Sequence, residues 1–238
     1  MLRLSSVSKV YHVRPFSVLS SLKASTAPKG GNSHKGNGSH HVEVKCENMD
    51  EAQRAYLDRV IRVDQAGELG ANYIYAGQIF ILSEKHPNLK PILNHMWEQE
   101  IHHHNTFNTL QLKHRVRPSL ITPFWKAGAF IMGSGTAFIS PEAAMACTEA
   151  VETVIGGHYN EQLRCLNNQY DLKRTDGSEG QSDEVKSLMS VIKQFRDDEL
   201  EHLDTAIAHD SRKAVPYILL TEGIKAVCRT AIWTAERY

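Results

Sequence analysis

The sequence predicts an all-α protein whose core is a four-helix bundle. Apolar residues recur at three- and four-residue steps through four long stretches, and no stretch with the alternating pattern of a β-strand competes with them. Two of these stretches contain the motif Glu-x-x-His, at Glu100 and His103 and again at Glu199 and His202. Side chains three positions apart share one face of a helix, so each motif presents a carboxylate and an imidazole to one point.

Composition is that of an ordinary globular protein. The 238 residues, 41% apolar and 23% charged, suffice for one large domain or two small ones. Residues 1–41 contain six Lys or Arg and no acid, so the remainder is net acidic and gives no reason to expect a nucleic-acid partner. The four cysteines are widely spaced, which favours a reducing compartment and argues against thiolate metal ligands.

The first 41 residues are rich in Ser and end in a low-complexity run of Gly, Ser, His and Lys. This profile is typical of a mitochondrial transit peptide with a linker, the alternative being a disordered basic tail without a targeting role. The histidines of this tail (His34, His40 and His41) are expected to be solvated, because a flexible segment supplies no fixed ligand geometry. The folded domain is expected to span residues 50–238.

The first helix is predicted for residues 50 to about 83, where a stretch around Pro87 ends it. One face of this helix carries a mostly apolar stripe in which two acids also fall: Leu57, Ile61, Asp64, Glu68, Ala71, Tyr75, Ile79 and Leu82. Glu68 lies on this stripe, where an unpaired carboxylate is costly to bury.

The second helix is predicted from about Pro91, a favourable first-turn residue, to about His114. Its stripe resolves an ambiguity, because His103 is the middle one of three consecutive histidines. Only His103 shares the face of Glu100 and the apolar residues, so the histidines on either side of it should point away.

The third bundle helix is predicted to start at Ser140 and Pro141, an N-cap residue followed by a proline, and it carries Glu152 on its stripe. A polar loop over residues 167–181 leads to the fourth helix, which starts at Ser182. Its stripe is the most regular of all: Val185, Leu188, Ile192, Phe195, Glu199, His202 and Ala206.

The order helix-with-Glu, then helix-with-Glu-x-x-His, therefore occurs twice. A pair of hairpins related by two-fold symmetry would gather six metal ligands in the middle of the bundle: Glu68, Glu100, His103, Glu152, Glu199 and His202. This is the ligand set of a carboxylate-bridged di-metal centre in a ferritin-like bundle. Four carboxylates and two imidazoles suit iron or manganese better than structural zinc, and an iron pair can reduce O₂ and deliver an oxygen atom.

Three other functions compete with an O₂-activating enzyme. They are a ferritin-like protein that oxidises and handles iron without an organic substrate, a manganese catalase, and a non-catalytic scaffold whose charges form buried salt bridges. The scaffold is disfavoured because four acids and two histidines leave negative charge unpaired unless cations enter.

Four residues near the ligands are further candidates. Asp198 is predicted to accept a hydrogen bond from His103, and Asp64 from His202, so that the carboxylates orient the imidazoles; surface or helix-dipole charges are the alternative. Tyr159 lies near the face of Glu152 and His158 lies well off it. The two are interpreted as a core or rim pair, with a redox relay as the other hypothesis.

The segment 118–140 joins the two halves and is strongly apolar. Its fifteen uncharged residues, 127–141, would span about 22 Å as a helix, short of the ~30 Å hydrocarbon core, so a transmembrane span is not expected. An interfacial segment that dips into one leaflet and a buried crossover connection both fit the pattern. A last helix, about residues 216–237, should dock on the bundle through Leu220, Ile224, Val227 and Ala231.

Five stretches resemble the demethoxyubiquinone hydroxylases, di-iron enzymes of the penultimate step in ubiquinone synthesis: LDRVIRVDQAGELGANYIYAGQ, MWEQEIHH, AMACTEAVE, HYNEQ and FRDDELEHLD. The resemblance covers residues 55–238, and the family's iron ligands fall on the six residues above. The sequence departs from the family pattern in the loop of residues 167–181 and in the run of three histidines at residues 102–104.

The resemblance implies a polyprenylated quinone substrate, O₂ as oxidant, two iron ions and NADH as electron donor. It also implies peripheral, matrix-side association with the inner mitochondrial membrane and a lipid-binding accessory protein. The resemblance also makes His158 and Tyr159 candidate redox-relay residues.

Overall fold

The computed structural model describes residues 51–169 and 181–238, which form six α-helices and one short 3₁₀ helix, with no strand in these two ranges. The helices are α1 (Glu51–Lys85), α2 (Lys90–His114), α3 (Thr122–Ile139), α4 (Pro141–Gln169), α5 (Asp183–Ala208) and α6 (Tyr217–Ala235), and the 3₁₀ helix is Ser211–Lys213. The all-α prediction is confirmed for this part of the chain. The predicted transit peptide and most of the predicted loop lie outside the described residues.

The helix boundaries follow from local sequence signals. Ser140 caps α4, since its Oγ accepts from the backbone N–H of Ala143 at 3.0 Å. Ser182 caps α5 in the same way, accepting from Val185 at 3.2 Å. The N-cap predicted at Ser140, the predicted start of the fourth bundle helix at Ser182 and the break between α1 and α2 are confirmed.

Four helices form the predicted bundle as two antiparallel hairpins. α1 pairs with α2 and α4 pairs with α5, and the hairpins meet through α1 against α4 and α2 against α5. Two apolar clusters lie inside this bundle. One contains Leu57, Phe107, Tyr159, Leu188 and Phe195, and the other contains Tyr75, Leu82, Leu93, Met96 and Met145. The Glu and His residues of the four stripes lie, in each helix, between the residues that supply the two clusters.

α3 is a crossover helix that is buried on one side only. It lies along α1, where Gly133 packs so closely on Ile74 that an added Cβ would lie 2.8 Å from the Ile74 Cα. Large apolar side chains cover its outer side and are exposed, among them Phe124, Ile131 and Phe138. The crossover is therefore helical, and its exposed outer side shows that it is not the buried connection that was one of the two alternatives for this segment.

Among the helices of residues 51–169 and 181–238, none combines the length and the apolar character that a membrane span requires.

α6 docks on the bundle through the predicted face, where Ile224 is buried and Leu220 packs beside it. Its buried side contains Thr221 and Ile224, whereas Val227 is 53% exposed. Polar contacts hold both ends. Tyr217 Oη donates to Glu149 Oε1 of α4 at 2.6 Å, and Arg62 of α1 donates to two carbonyl oxygens at the C-terminal end at 3.0 Å. These contacts hold α6 against α1 and α4.

Candidate metal centre

The structure brings together all six residues predicted as metal ligands. They form two overlapping groups whose ligand atoms lie within 4.8 Å of one another. One group is Glu68, Glu100, His103 and Glu199; the other is Glu100, Glu152, Glu199 and His202. All six side chains are buried in the layer between the two apolar clusters.

Glu199 lies between the two imidazoles. Its Oε1 is 3.2 Å from Nδ1 of His103, and its Oε2 is 3.2 Å from Nδ1 of His202. Glu68 Oε2 lies 3.4 Å from His103 Nδ1, and Glu100 Oε1 lies 3.2 Å from His202 Nδ1. Metal–ligand bonds of about 2.1 Å place neighbouring ligand atoms about 3 Å apart. The spacing therefore fits two adjacent cation positions that share the carboxylates of Glu100 and Glu199.

The hydrogen-bonding pattern supports the same interpretation. Each of the six side chains has at least one buried nitrogen or oxygen without a hydrogen-bond partner: Glu68 Oε2, both oxygens of Glu100 and of Glu199, Glu152 Oε2, and Nδ1 of both histidines. Buried polar atoms are nearly always satisfied in folded proteins, and leaving one unpaired is costly. Cations at the centre would satisfy all of these atoms at once, so the residues fit a di-metal cofactor.

Electrostatics show how strongly negative this layer is. Burial, together with the neighbouring carboxylate of Glu199, raises the pKa of Glu100 and of Glu152 well above the usual value. Burial would lower the pKa of His103, but its close contacts with the carboxylates of Glu199 and Glu68 outweigh burial and raise that pKa to about 12. Burial would raise the pKa of Glu199, but its close contacts with both imidazoles lower it to about 2 instead. The acids thus draw positive charge into the layer.

The imidazoles are held from their outer sides by two different partners. His103 Nε2 lies 3.1 Å from Asp198 Oδ2, the position predicted for Asp198. The corresponding prediction for Asp64 was wrong, because His202 Nε2 lies 2.9 Å from Gln99 Oε1. Asp64 instead accepts from Gln162 Nε2 at 2.6 Å.

Gln99 was missed although the sequence contained a signal for it. Asp198 immediately precedes Glu199 and contacts the histidine of the other hairpin. Gln99 precedes Glu100 in the same way, so the internal two-fold symmetry predicts its contact with His202.

Two tyrosines hold the carboxylates that the two groups do not share. Tyr75 Oη donates to Glu152 Oε1 at 2.9 Å, and Tyr159 Oη donates to Glu68 Oε1. Burial and the nearby carboxylates raise the pKa of both phenols well above the usual value, so both keep their protons. Sequence analysis placed Tyr75 on the stripe without assigning it this contact.

His158 lies further out, as its position off the face of Glu152 predicted. Its side chain is 21% exposed, and its Nε2 is 2.9 Å from the Nε2 of Gln162, which also donates to Asp64. Among the three consecutive histidines, only His103 is buried. His104 bonds to Asn108 at 3.0 Å and His102 is exposed, which confirms that both point away from the centre.

An apolar cavity of about 340 Å³ lies beside the centre, between α1, α3, α4 and α6. Its lining contains no charged residue and includes Val151 and Ile155, which flank Glu152 in α4. Gly67 and Gly70 of α1 also line it, and a Cβ added at either would meet no atom within 4 Å. These glycines keep the space open rather than permit close packing. The cavity was not predicted from the sequence.

Comparisons with known proteins agree with this site. A family model described as ubiquinone biosynthesis protein COQ7 matches residues 55–235. The mitochondrial 5-demethoxyubiquinone hydroxylase of Saccharomyces cerevisiae is 69% identical over 224 residues, which cover 94% of each chain. A human relative, named mitochondrial NADPH-dependent 3-demethoxyubiquinone 3-hydroxylase, is 43% identical over 79% of this chain and 81% of its own.

The similarity extends to bacteria. A Rhodospirillum rubrum protein named 3-demethoxyubiquinol 3-hydroxylase is 40% identical over 79% of this chain and 81% of its own. The family match and these identities confirm the resemblance seen in the sequence motifs. The chain belongs to the ubiquinone biosynthesis protein COQ7 family, the family of the demethoxyubiquinone hydroxylases.

Proposed function

We propose that this protein is a mitochondrial di-iron monooxygenase that hydroxylates the ring of a polyprenylated demethoxyquinone, using O₂ and a reduced nicotinamide nucleotide. The observation that carries the proposal is the convergence of six buried ligand side chains beside an apolar cavity. The relatives support the reaction, because their names state hydroxylation of demethoxyubiquinone or its quinol.

Each metal position would take one histidine and one unshared carboxylate. Glu68 and His103 would hold the first metal, Glu152 and His202 would hold the second, and Glu100 and Glu199 would contribute to both positions. Two iron ions bound here would supply the reduction of O₂ and the transfer of one oxygen atom to the ring.

The protein contributes position and a dry environment. Tyr75 and Tyr159 orient the unshared carboxylates by donating to one oxygen of each, which leaves the other oxygen for the metal. The apolar clusters on both sides of the layer exclude water from the centre. The phenol of Tyr159, in contact with Glu68, supports the hypothesis that it and His158 carry electrons or protons toward the centre.

The cavity is the proposed site of the quinone ring and the first part of its tail. Its volume falls in the usual range of ligand pockets, roughly 300–1,000 Å³, and its walls are apolar. Ile131 of α3, 68% exposed, and Val227 of α6, 53% exposed, belong both to the lining and to the surface. They mark an opening between α3 and α6 through which a lipid tail can pass.

This opening is surrounded by exposed apolar side chains. Phe124 and Phe138 lie on α3, and Ile218, Leu219 and Trp233 lie on α6. A surface of this kind suits an interfacial position on a bilayer, and it supports peripheral binding to the matrix side of the inner mitochondrial membrane. The same surface is available to the expected lipid-binding accessory protein. Relatives named as mitochondrial also support the proposed transit peptide in residues 1–41.

Iron content and product analysis test the reaction. Protein purified without added metal should contain about two irons per chain, and Glu199→Ala, which removes the shared carboxylate, should lose them. A demethoxyquinone incubated with the iron-loaded protein, O₂ and NADH should gain one oxygen atom, detected by mass spectrometry. NADH is the expected electron donor; because the mammalian relatives are named NADPH-dependent, both nucleotides should be assayed side by side.

Two irons without a hydroxylated product would support the alternative, an iron-oxidising protein without an organic substrate. Well-folded protein that takes up no iron would refute the di-iron assignment.

Filling the cavity tests the substrate site separately. Gly70→Leu adds a side chain to the wall of the cavity at a position where its Cβ would meet no atom within 4 Å, so it should raise the KM for the quinone while iron content stays unchanged. The matched control is Gly223→Leu on exposed α6 backbone outside the lining, where an added Cβ also meets no atom within 4 Å. Equal kinetics for the two variants would contradict the placement of the substrate.

A further inference from the structure

The two histidines of the centre differ in what they contact on the side away from it. Both direct Nδ1 toward the shared carboxylate of Glu199. On the opposite side of the ring, His103 meets the carboxylate of Asp198 and His202 meets the neutral amide of Gln99. The two partners occupy equivalent places in the fold, each one residue before the Glu of its own motif.

The other contacts of the two metal positions are matched. Each position has one unshared carboxylate, and each of these accepts from a tyrosine hydroxyl. The carboxylates of Glu100 and Glu199 belong to both groups. Asp64 lies on the Glu68 side, but burial raises its pKa well above the usual value and favours its neutral form. The main difference in charge is therefore the exchange of a carboxylate for an amide beside the imidazoles.

That exchange affects metal binding through the imidazole. A carboxylate that accepts from the outer N–H makes the ring a stronger ligand, and it adds negative charge near the cation. A neutral amide fixes the orientation of the ring but adds no charge. Replacing a partner of this kind typically changes metal affinity by about 10- to 100-fold.

We propose that the two metal positions are inequivalent, and that the position of Glu68 and His103 fills first and holds its metal more tightly because Asp198 supports His103. The inference rests on the proposed di-metal function and deepens it. Asp198 and Gln99 are positioning residues, since each acts through a histidine.

Titration of the metal-free full-length chain with Co²⁺ tests the proposal without any turnover. Isothermal titration calorimetry should resolve two binding steps whose dissociation constants differ about tenfold or more. In crystals grown with one equivalent of Co²⁺, anomalous scattering should place the ion beside His103 rather than His202.

Two isosteric exchanges provide the matched variants. Asp198→Asn should weaken the first step about tenfold and bring the two constants together, since an amide then contacts each imidazole. Adding Gln99→Glu to it should reverse the order of filling, so that one equivalent of Co²⁺ lies beside His202. A merely structural role for these residues would not reverse the order. Circular dichroism of each variant separates loss of helix from loss of affinity.

Equal affinities in the wild-type chain would overturn the inequivalence, and an unchanged order in the double variant would overturn its assignment to Asp198 and Gln99; either result would leave the di-metal function intact. Failure of the folded wild-type chain to bind any Co²⁺ would overturn both.

Discussion

The contact between α3 and α1 makes Gly133 the most sensitive glycine in the described chain. A Cβ at this position would lie 2.8 Å from both the Cα and the carbonyl carbon of Ile74, and closer still to its carbonyl oxygen. These are backbone atoms of a long helix, so no side-chain rotation can relieve the clash. Gly133→Ala must therefore displace α3 from α1.

The magnitude follows from two opposing effects. Overpacking a rigid contact costs up to about 3 kcal/mol, and replacing a helical glycine by alanine gains about 1 kcal/mol. The expected net loss is about 2 kcal/mol of unfolding free energy. For a domain of this size, that corresponds to a fall in melting temperature of roughly 4–8 °C.

Gly135→Ala is the matched control on the same helix. Gly135 is exposed, and a Cβ there meets no atom within 4 Å, so only the propensity gain remains and the melting temperature should rise by roughly 2–4 °C. Thermal unfolding followed by circular dichroism compares both variants with the wild type. A Gly133→Ala protein as stable as the Gly135→Ala protein would refute the close packing of α3 on α1.

Three further predictions concern the centre, a helix cap and the surface. Metal affinity should fall as the pH is lowered, by about tenfold per pH unit for each proton that the metal displaces. The reason is that the pKa of His103, raised to about 12, keeps this imidazole protonated until a metal binds. Calorimetry in buffers of different ionisation enthalpy counts the protons released. Ser182→Ala should cost about 1 kcal/mol in urea unfolding, since the N–H of Val185 loses its acceptor, whereas Ser182→Gly should cost only a few tenths. The double variant Ile131→Asp and Phe138→Asp should reduce the fraction of protein that sediments together with anionic vesicles, without loss of stability. Unchanged vesicle binding would exclude this face of α3 as the membrane contact.

The positions of the proposed ligands were predictable because each depends on one helix alone. Glu68 and Glu152 share a face with apolar residues, and the period of the α-helix decides that face whatever the neighbouring helices do. The same reasoning selected His103 from three consecutive histidines. The charge argument completed the prediction, since buried acids at core spacing require cations or other partners.

Contacts between helices were harder to predict. Whether Asp64 or Gln99 meets His202 depends on how far two helices are shifted along their axes, and a hydrophobic stripe carries no information about that shift. The polar contacts that hold the two ends of α6 are a similar case, because they join helices that lie far apart in the sequence. The cavity could not be predicted from the hydrophobic periodicity of the sequence, because the glycines that open it contribute no side chain.

The division of the proposed ligands between two hairpins has a consequence for biosynthesis. A nascent chain that has made only α1 and α2 holds Glu68, Glu100 and His103, and it lacks the shared carboxylate that α5 supplies later. Neither cation position is complete until His202 and the helix around it have been synthesised and packed. Iron acquisition is then a late step of maturation. An incomplete chain offers a metal ion of the wrong kind only a partial set of ligands, so that such an ion can still dissociate.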